Sequence, residues 1–193
     1  MNPSAAALLV NPHPCNHIVY PYTDENLVGQ AVCLYASAGL KAGEGVVLIM
    51  TAGHYGPIRH RLLTEGLDPE EYERMGRLVC LKTEDLLTQL ITDGCVNEDL
   101  FKVIIGRLIT RARESSSDRY LGKVRLFGEM VSQLRSTSLT ATTRMEELWN
   151  DVINAHSVPL LCTYALDHPN EHLPHALHDL HSHNIQREAP LIQ

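Results

Sequence analysis

Val46-Val-Leu-Ile-Met50 is an unbroken apolar run of strand length, with Gly43 and Gly45 before it and Gly53 after it. A strand with one wet face alternates apolar and polar residues. A strand without alternation is buried on both faces, which is the condition of a parallel sheet covered by helices. Four further segments read as strands: His17-Ile-Val-Tyr-Pro-Tyr22, Arg77 to Leu81, Lys123 to Glu129 and Val158 to Tyr164. Segments of helical period separate them. The expected fold class is therefore α/β, a mostly parallel central sheet with helices on both faces.

The helical segments carry their own signals. Thr23, Asp24 and Glu25 open a helix with acid at the positive end of its dipole, and Leu27, Ala31, Leu34, Tyr35 and Ala38 make its buried face. Gly56-Pro57 punctuates the way into a helix expected over Ile58 to Glu65, and Asp68-Pro69-Glu70 opens a short one. Another is expected over Thr83 to Ile91. A longer helix starts at Asn97, with a stripe of Phe101, Ile104, Ile105, Leu108, Ile109 and Ala112, and ends in a loop at Ser115-Ser-Ser117. Met145, Leu148, Trp149, Val152 and Ile153 share one face of the next, and Leu173, Ala176, Leu177 and Leu180 mark the last. The expected organisation is a flexible N-terminal arm (1–16), one domain (17–183) and a C-terminal tail (184–193).

Charge narrows the function. A formal net charge of -7 disfavours a phosphate-binding surface, and the basic residues Arg107, Arg111 and Arg113 read as a solvated helix face, so no direct nucleic-acid contact is expected. The five cysteines form no CxxC pair and no run is long enough to span a bilayer, which fits a cytoplasmic protein with no membrane contact. His172, His175, His178 and His181 recur every three residues. On one helix that spacing drifts about 60° per step, so the row reads as a solvated face, and neither a metal nor a cofactor is expected.

Ligands of open parallel sheets sit beyond the carboxyl ends of the strands. That rule nominates Tyr22, the segment Met50 to His54, Glu129 with Met130, and Tyr164. Gly128 would let a ligand approach, and Met130 would supply an adaptable wall. Cys162 alternates in phase with Tyr164, so both face one side of the sheet. His17 opens a buried strand, where an imidazole either bonds locally or meets a ligand. Glu146 closes a Thr143-Arg-Met-Glu146 capping pattern, which makes a helix cap its structural reading.

Taken in order, several segments resemble the MEDS domain, the sensory domain of methanogen and methylotroph regulators. They are His17 to Tyr22, Gly39-Leu-Lys-Ala-Gly-Glu44, Val46 to Met50, Gly66-Leu-Asp68, Gly76-Arg-Leu78 and Gly128-Glu-Met130. Glu146 with Trp149-Asn150, Cys162-Thr-Tyr164 and His181-Ser-His183 complete the series. The resemblance implies a RecA/KaiC-like core that lacks the P-loop. It also implies a non-catalytic, ligand-responsive domain binding a small organic molecule, with His17, Tyr22, Glu129, Met130, Glu146, Asn150, Cys162 and Tyr164 as candidate ligand-binding residues. Output would then pass through a protein partner or self-association. Two other readings stand beside it: an enzyme using Glu129 and Glu146 as a carboxylate pair, and a ligand-free oligomeric scaffold.

The first strand-to-helix junction, Tyr20-Pro-Tyr-Thr-Asp-Glu-Asn26, has no glycine and no lysine and presents two carboxylates. A phosphate cradle needs the opposite. Titration calorimetry with magnesium-ATP should give no saturable heat; micromolar binding would overturn this reading.

Overall fold

The computed structural model describes residues 4–116 and 122–186. In chain order the elements are α1 (Ala5–Val10), β1 (His17–Tyr22), α2 (Glu25–Lys41), β2 (Gly45–Met50), α3 (Ala52–Thr64), α4 (Pro69–Arg74), β3 (Leu78–Lys82) and α5 (Thr83–Leu90). There follow β4 (Ile91–Thr92), β5 (Cys95–Val96), α6 (Glu98–Glu114), β6 (Val124–Gly128), α7 (Met130–Arg135), α8 (Leu139–His156), β7 (Leu160–Ala165), α9 (His175–His178) and β8 (His183–Asn184). The main sheet has six strands in the order β3-β2-β6-β7-β1-β8, each parallel to its neighbours. All carboxyl ends therefore leave by one edge.

The uniform apolar runs are buried on both faces. Val47, Ile49, Leu126, Leu160 and Cys162 join Phe101, Ile105, Leu148 and Trp149 in one core, beneath α6 and α8. Val46, Leu48, Phe127 and Leu161 join Leu9, Val28, Ala31 and Leu62 in the other, beneath α1, α2 and α3. The three long helices α2, α6 and α8 start where a cap falls: Asp24 accepts from the Asn26 N–H at 2.7 Å, Asn97 from Leu100 at 3.1 Å and Ser138 from Ala141 at 3.1 Å.

Several expectations need correction. The described part of the arm is not loose: Ala5–Val10 is helical, with Leu9 fully buried. Arg125 accounts for this. It is a cation inside β6, 1% exposed, and a buried charge must be paired. Its Nε donates to Glu44 at 2.6 Å, and Nη1 donates to the carbonyls of Leu9 at 3.2 Å and Tyr35 at 2.9 Å, which fastens α1 to the sheet. The tail also begins later than residue 184. Asn184 pairs with Val19 and Ile185 is buried, because the free edge of β1 captures the chain. The same capture shortens the last helix to His175–His178: His17 N–H donates to Ser182 Oγ, and Ser182 N–H to the His17 carbonyl.

Helix α3 starts at Ala52 rather than Ile58 and runs through Pro57. Proline there forgoes one helical bond. The Thr51 and Ala52 N–H groups find outside acceptors in the carboxylates of Glu129 and Glu84, and these hold the start of the helix in place. Helix α7 and the β4–β5 hairpin were not expected. The hairpin has a readable signal in Asp93-Gly94, both at positive φ, the preferred pair for a two-residue turn. Residues 1–3 of the arm, Ser117 of the expected loop, and 187–193 of the tail lie outside the described residues.

Trp149 is 1% exposed and meets Phe101 edge-on, ring centroids 4.9 Å apart, as its place in the apolar stripe predicts. Trp149→Ala should cost roughly 3–5 kcal/mol in denaturant unfolding. A loss below about 1 kcal/mol, a third or less of that cavity cost, would mean the α6–α8 face is not core.

Candidate functional site

The carboxyl ends of β1, β2 and β7, with residues just beyond β6, surround a crevice of ≈ 660 Å³. Tyr22, Gly53, Pro57 and Ile58 contribute apolar wall, and Asn26 and Arg61 lie at its polar side. Glu129 stands directly after β6, 1% exposed. One of its oxygens accepts the Thr51 N–H at 2.6 Å and the other accepts from His54 Nδ1 at 2.5 Å. His54 Nε2 donates in turn to Glu25, in the first turn of α2. An imidazole that donates from both nitrogens to carboxylates is held as imidazolium. The hydrogen bond to Glu129 outweighs the opposing effect of burial and pushes the His54 pKa up to about 9. Burial, then the negative charges of Glu129 and Glu25, raise the Tyr22 phenol, so it stays protonated beside them.

A second group of polar side chains lies under α8, on the opposite face of the sheet from Tyr22. Strand alternation sends His17 and Val19 one way and Tyr20 and Tyr22 the other. His17 Nε2 lies 3.3 Å from Glu146 Oε2 and 3.4 Å from Cys162 Sγ. Tyr164 donates its hydroxyl to Glu146 Oε1, and His181 Nε2 approaches the same oxygen at 3.3 Å. The His17 and His181 rings sit 4.1 Å apart. Asn150 ties the group to the chain beyond α9, taking His17 Nδ1 at 3.0 Å and donating to the Leu180 carbonyl at 3.0 Å. Burial alone would raise the Glu146 carboxyl; His181 and His17 facing it hold it well below the usual range. Burial and the Glu146 charge push the Cys162 thiol up.

The nominated residues thus divide in two. Tyr22 lines the crevice, and Glu129 lies buried behind its wall, bonded to the lining residues Thr51 and His54. His17, Glu146, Asn150, Cys162 and Tyr164 share the buried group, so Tyr164 does not line one concavity with Tyr22. Met130 enters neither: it is fully buried in the α6–α8 core, because it begins α7 and that helix packs downward. Gly128 faces Trp149, 3.5 Å from where its Cβ would be, rather than a ligand. Thr143 is no cap, since α8 already starts at Leu139 and its hydroxyl donates to the Leu139 carbonyl. Glu129 and Glu146 belong to separate networks and make no carboxylate pair.

Sequence reasoning passed over Glu25 and carried His54 only within a nominated segment. It also misplaced His181, whose side chain is fully buried rather than on a wet face. The three-residue spacing misled there because His172 to His181 is not one helix.

The family model described as MEDS, the methanogen/methylotroph, DcmR sensory domain, matches residues 16–182. A KaiC-like protein from the hyperthermophilic archaeon Pyrococcus horikoshii superposes with a TM-score of 0.57. That likeness covers 87% of this chain and 68% of the archaeal one at 14% identity, so it is one of fold alone. No curated protein matches the sequence.

The raised His54 pKa sets a sign for stability. Protonated His54 contributes fully below its ordinary value of 6.5, and the contribution is lost as pH rises through about 9. The stability difference between wild type and His54→Gln, from denaturant unfolding, should therefore shrink between neutral and strongly alkaline pH. A difference that stays constant would show that His54 is not held as imidazolium.

Proposed function

This chain belongs to the MEDS family of sensory domains, and from that premise we propose that it is a non-catalytic sensor binding a small organic molecule in the strand-end crevice. The family gives it a sensory or regulatory role. The carrying observation for the ligand is the crevice itself, whose volume falls in the range that small organic ligands fill. It joins apolar walls to a polar side made by Asn26, Arg61 and the His54–Glu25 pair, so the fitting ligand has an apolar part and a polar group that meets that side. The Glu129–His54–Glu25 relay also suggests how binding is felt. Glu129 is buried and fixed, whereas the Glu25 side chain is 70% exposed, so a ligand polar group competes with Glu25 for His54 and shifts the start of α2.

Signal output through a protein partner or a second copy is part of the same proposal, as is the absence of direct nucleic-acid and membrane contact. Among the described residues no helix is long and apolar enough to cross a membrane.

Gly53 supplies the test. A Cβ built there meets nothing within 4 Å and its φ is not positive, so Gly53→Leu enters the crevice from an unstrained, open position. Leucine is also the better helix former, by up to about 1 kcal/mol, so the variant should fold at least as well. Native mass spectrometry of freshly purified protein, with a thermal-shift panel of short alcohols, ketones and amides, should find ligands that raise the unfolding temperature of wild type but not of Gly53→Leu. Equal shifts in both proteins would remove the crevice as the binding site.

A further inference from the structure

We propose that His17 Nε2, His181 Nε2, Cys162 Sγ and one carboxylate oxygen of Glu146 form a buried tetrahedral site for a divalent cation of the zinc type. All four residues are buried, and their ligating atoms lie within 4.8 Å of one another. A tetrahedral zinc with bonds of about 2.0–2.3 Å sets its ligands roughly 3.3–3.7 Å apart. The separations here are 3.3 Å from His17 Nε2 to Glu146 Oε2, 3.4 Å from His17 Nε2 to Cys162 Sγ, and 3.3 Å from His181 Nε2 to Glu146 Oε1. Cys162 Sγ lies 3.9 Å from Glu146 Oε2, which a small rotation of either side chain closes; His17 and Cys162 face Oε2 and His181 faces Oε1 of the same carboxylate.

The tautomers are settled by neighbours that leave no choice. The Leu177 carbonyl can only accept, so His181 Nδ1 at 2.8 Å carries the proton. Asn150 spends its NH₂ on the Leu180 carbonyl, so its Oδ1 accepts from His17 Nδ1. When the rings are neutral, the lone pair of each sits on Nε2, the ring atom nearest the carboxylate. His181 Nε2 is buried with no hydrogen-bond partner. Two imidazole lone pairs, a carboxylate and a sulfur converge on a point that calls for a cation. The outward Nδ1–H bonds are the orienting contacts that ligating histidines require.

Charge balance favours a metal. On binding, Cys162 releases its proton to solvent, and two neutral imidazoles, one thiolate and one carboxylate exactly neutralise a divalent ion. This ligand set excludes magnesium and calcium, which take oxygen donors. Four protein ligands leave no open position, so the ion is structural. It would join β1, β7 and α8 to the segment from Leu177 to Ser182 that leads into β8, making closure of that edge depend on the metal. The rival arrangement puts two protons, one on each Nε2, in place of the ion.

Cobalt(II) is the probe, added to the full chain without a histidine tag after chelator treatment. One equivalent should produce the intense visible bands of tetrahedral cobalt together with a thiolate charge-transfer band, and zinc should abolish both. In Cys162→Ser the charge-transfer band should vanish. Asn150→Ala should weaken binding about 10–100-fold while keeping the spectrum, as loss of an orienting contact does. His178→Ala, on an exposed position of α9, should change nothing. Weak octahedral cobalt spectra in wild type, a charge-transfer band that survives Cys162→Ser, or binding lost in His178→Ala would each overturn the proposal. Should Cys162→Ser fail to fold, the wild-type thiolate band and the Asn150→Ala affinity decide alone.

Discussion

A fully buried carboxylate has to be surrounded, and Glu146 is surrounded by residues from everywhere in the chain. An ionised group away from water costs several kcal/mol unless partners replace its hydration. Helix α8 carries Glu146 into the core at 0% exposure. The sheet answers with His17 from β1 and with Cys162 and Tyr164 from β7, and the segment before β8 answers with His181. The last strand, held on the free edge of β1, brings His181 to this group. Just past the end of α9, His181 bonds back to the Leu177 carbonyl.

The opposite face repeats the principle with the opposite sign. Arg125 lies within β6, stacks on the Tyr35 ring, and collects Glu44 and three backbone carbonyls. Gly39 is required above it, because a Cβ there would come within 2.5 Å of the Arg125 Nε. One buried anion and one buried cation thus pin the C-terminal segment and the N-terminal helix to opposite faces of the same sheet.

The two polar sites share their strands. β1 begins at His17 in the buried group and ends at Tyr22 in the crevice. β7 gives Cys162 and Tyr164 to the first and Ala165 to the rim of the second. The first strand-to-helix junction fits this plan. Asp24 caps α2, and the next residue, Glu25, lines the crevice and bonds His54.

Periodicity and composition are local properties, and what depends on them was legible in the sequence. The β1 boundaries, the parallel sheet, the long stripes of α6 and α8 and the burial of Trp149 all follow from the spacing of apolar residues along one element. The strand-end rule likewise nominated Tyr22, which lines the crevice, and Glu129, which lies behind His54. What spacing could not decide is which polar groups meet. His17 and Cys162 are 145 residues apart and Thr51 and Glu129 are 78 apart. His181 looked solvated because its neighbours in sequence are, and Glu146 looked like a cap because its local pattern allows one. Only the folded chain settles such roles, since a buried charge takes its partners from whatever the topology delivers to it, at any distance along the sequence.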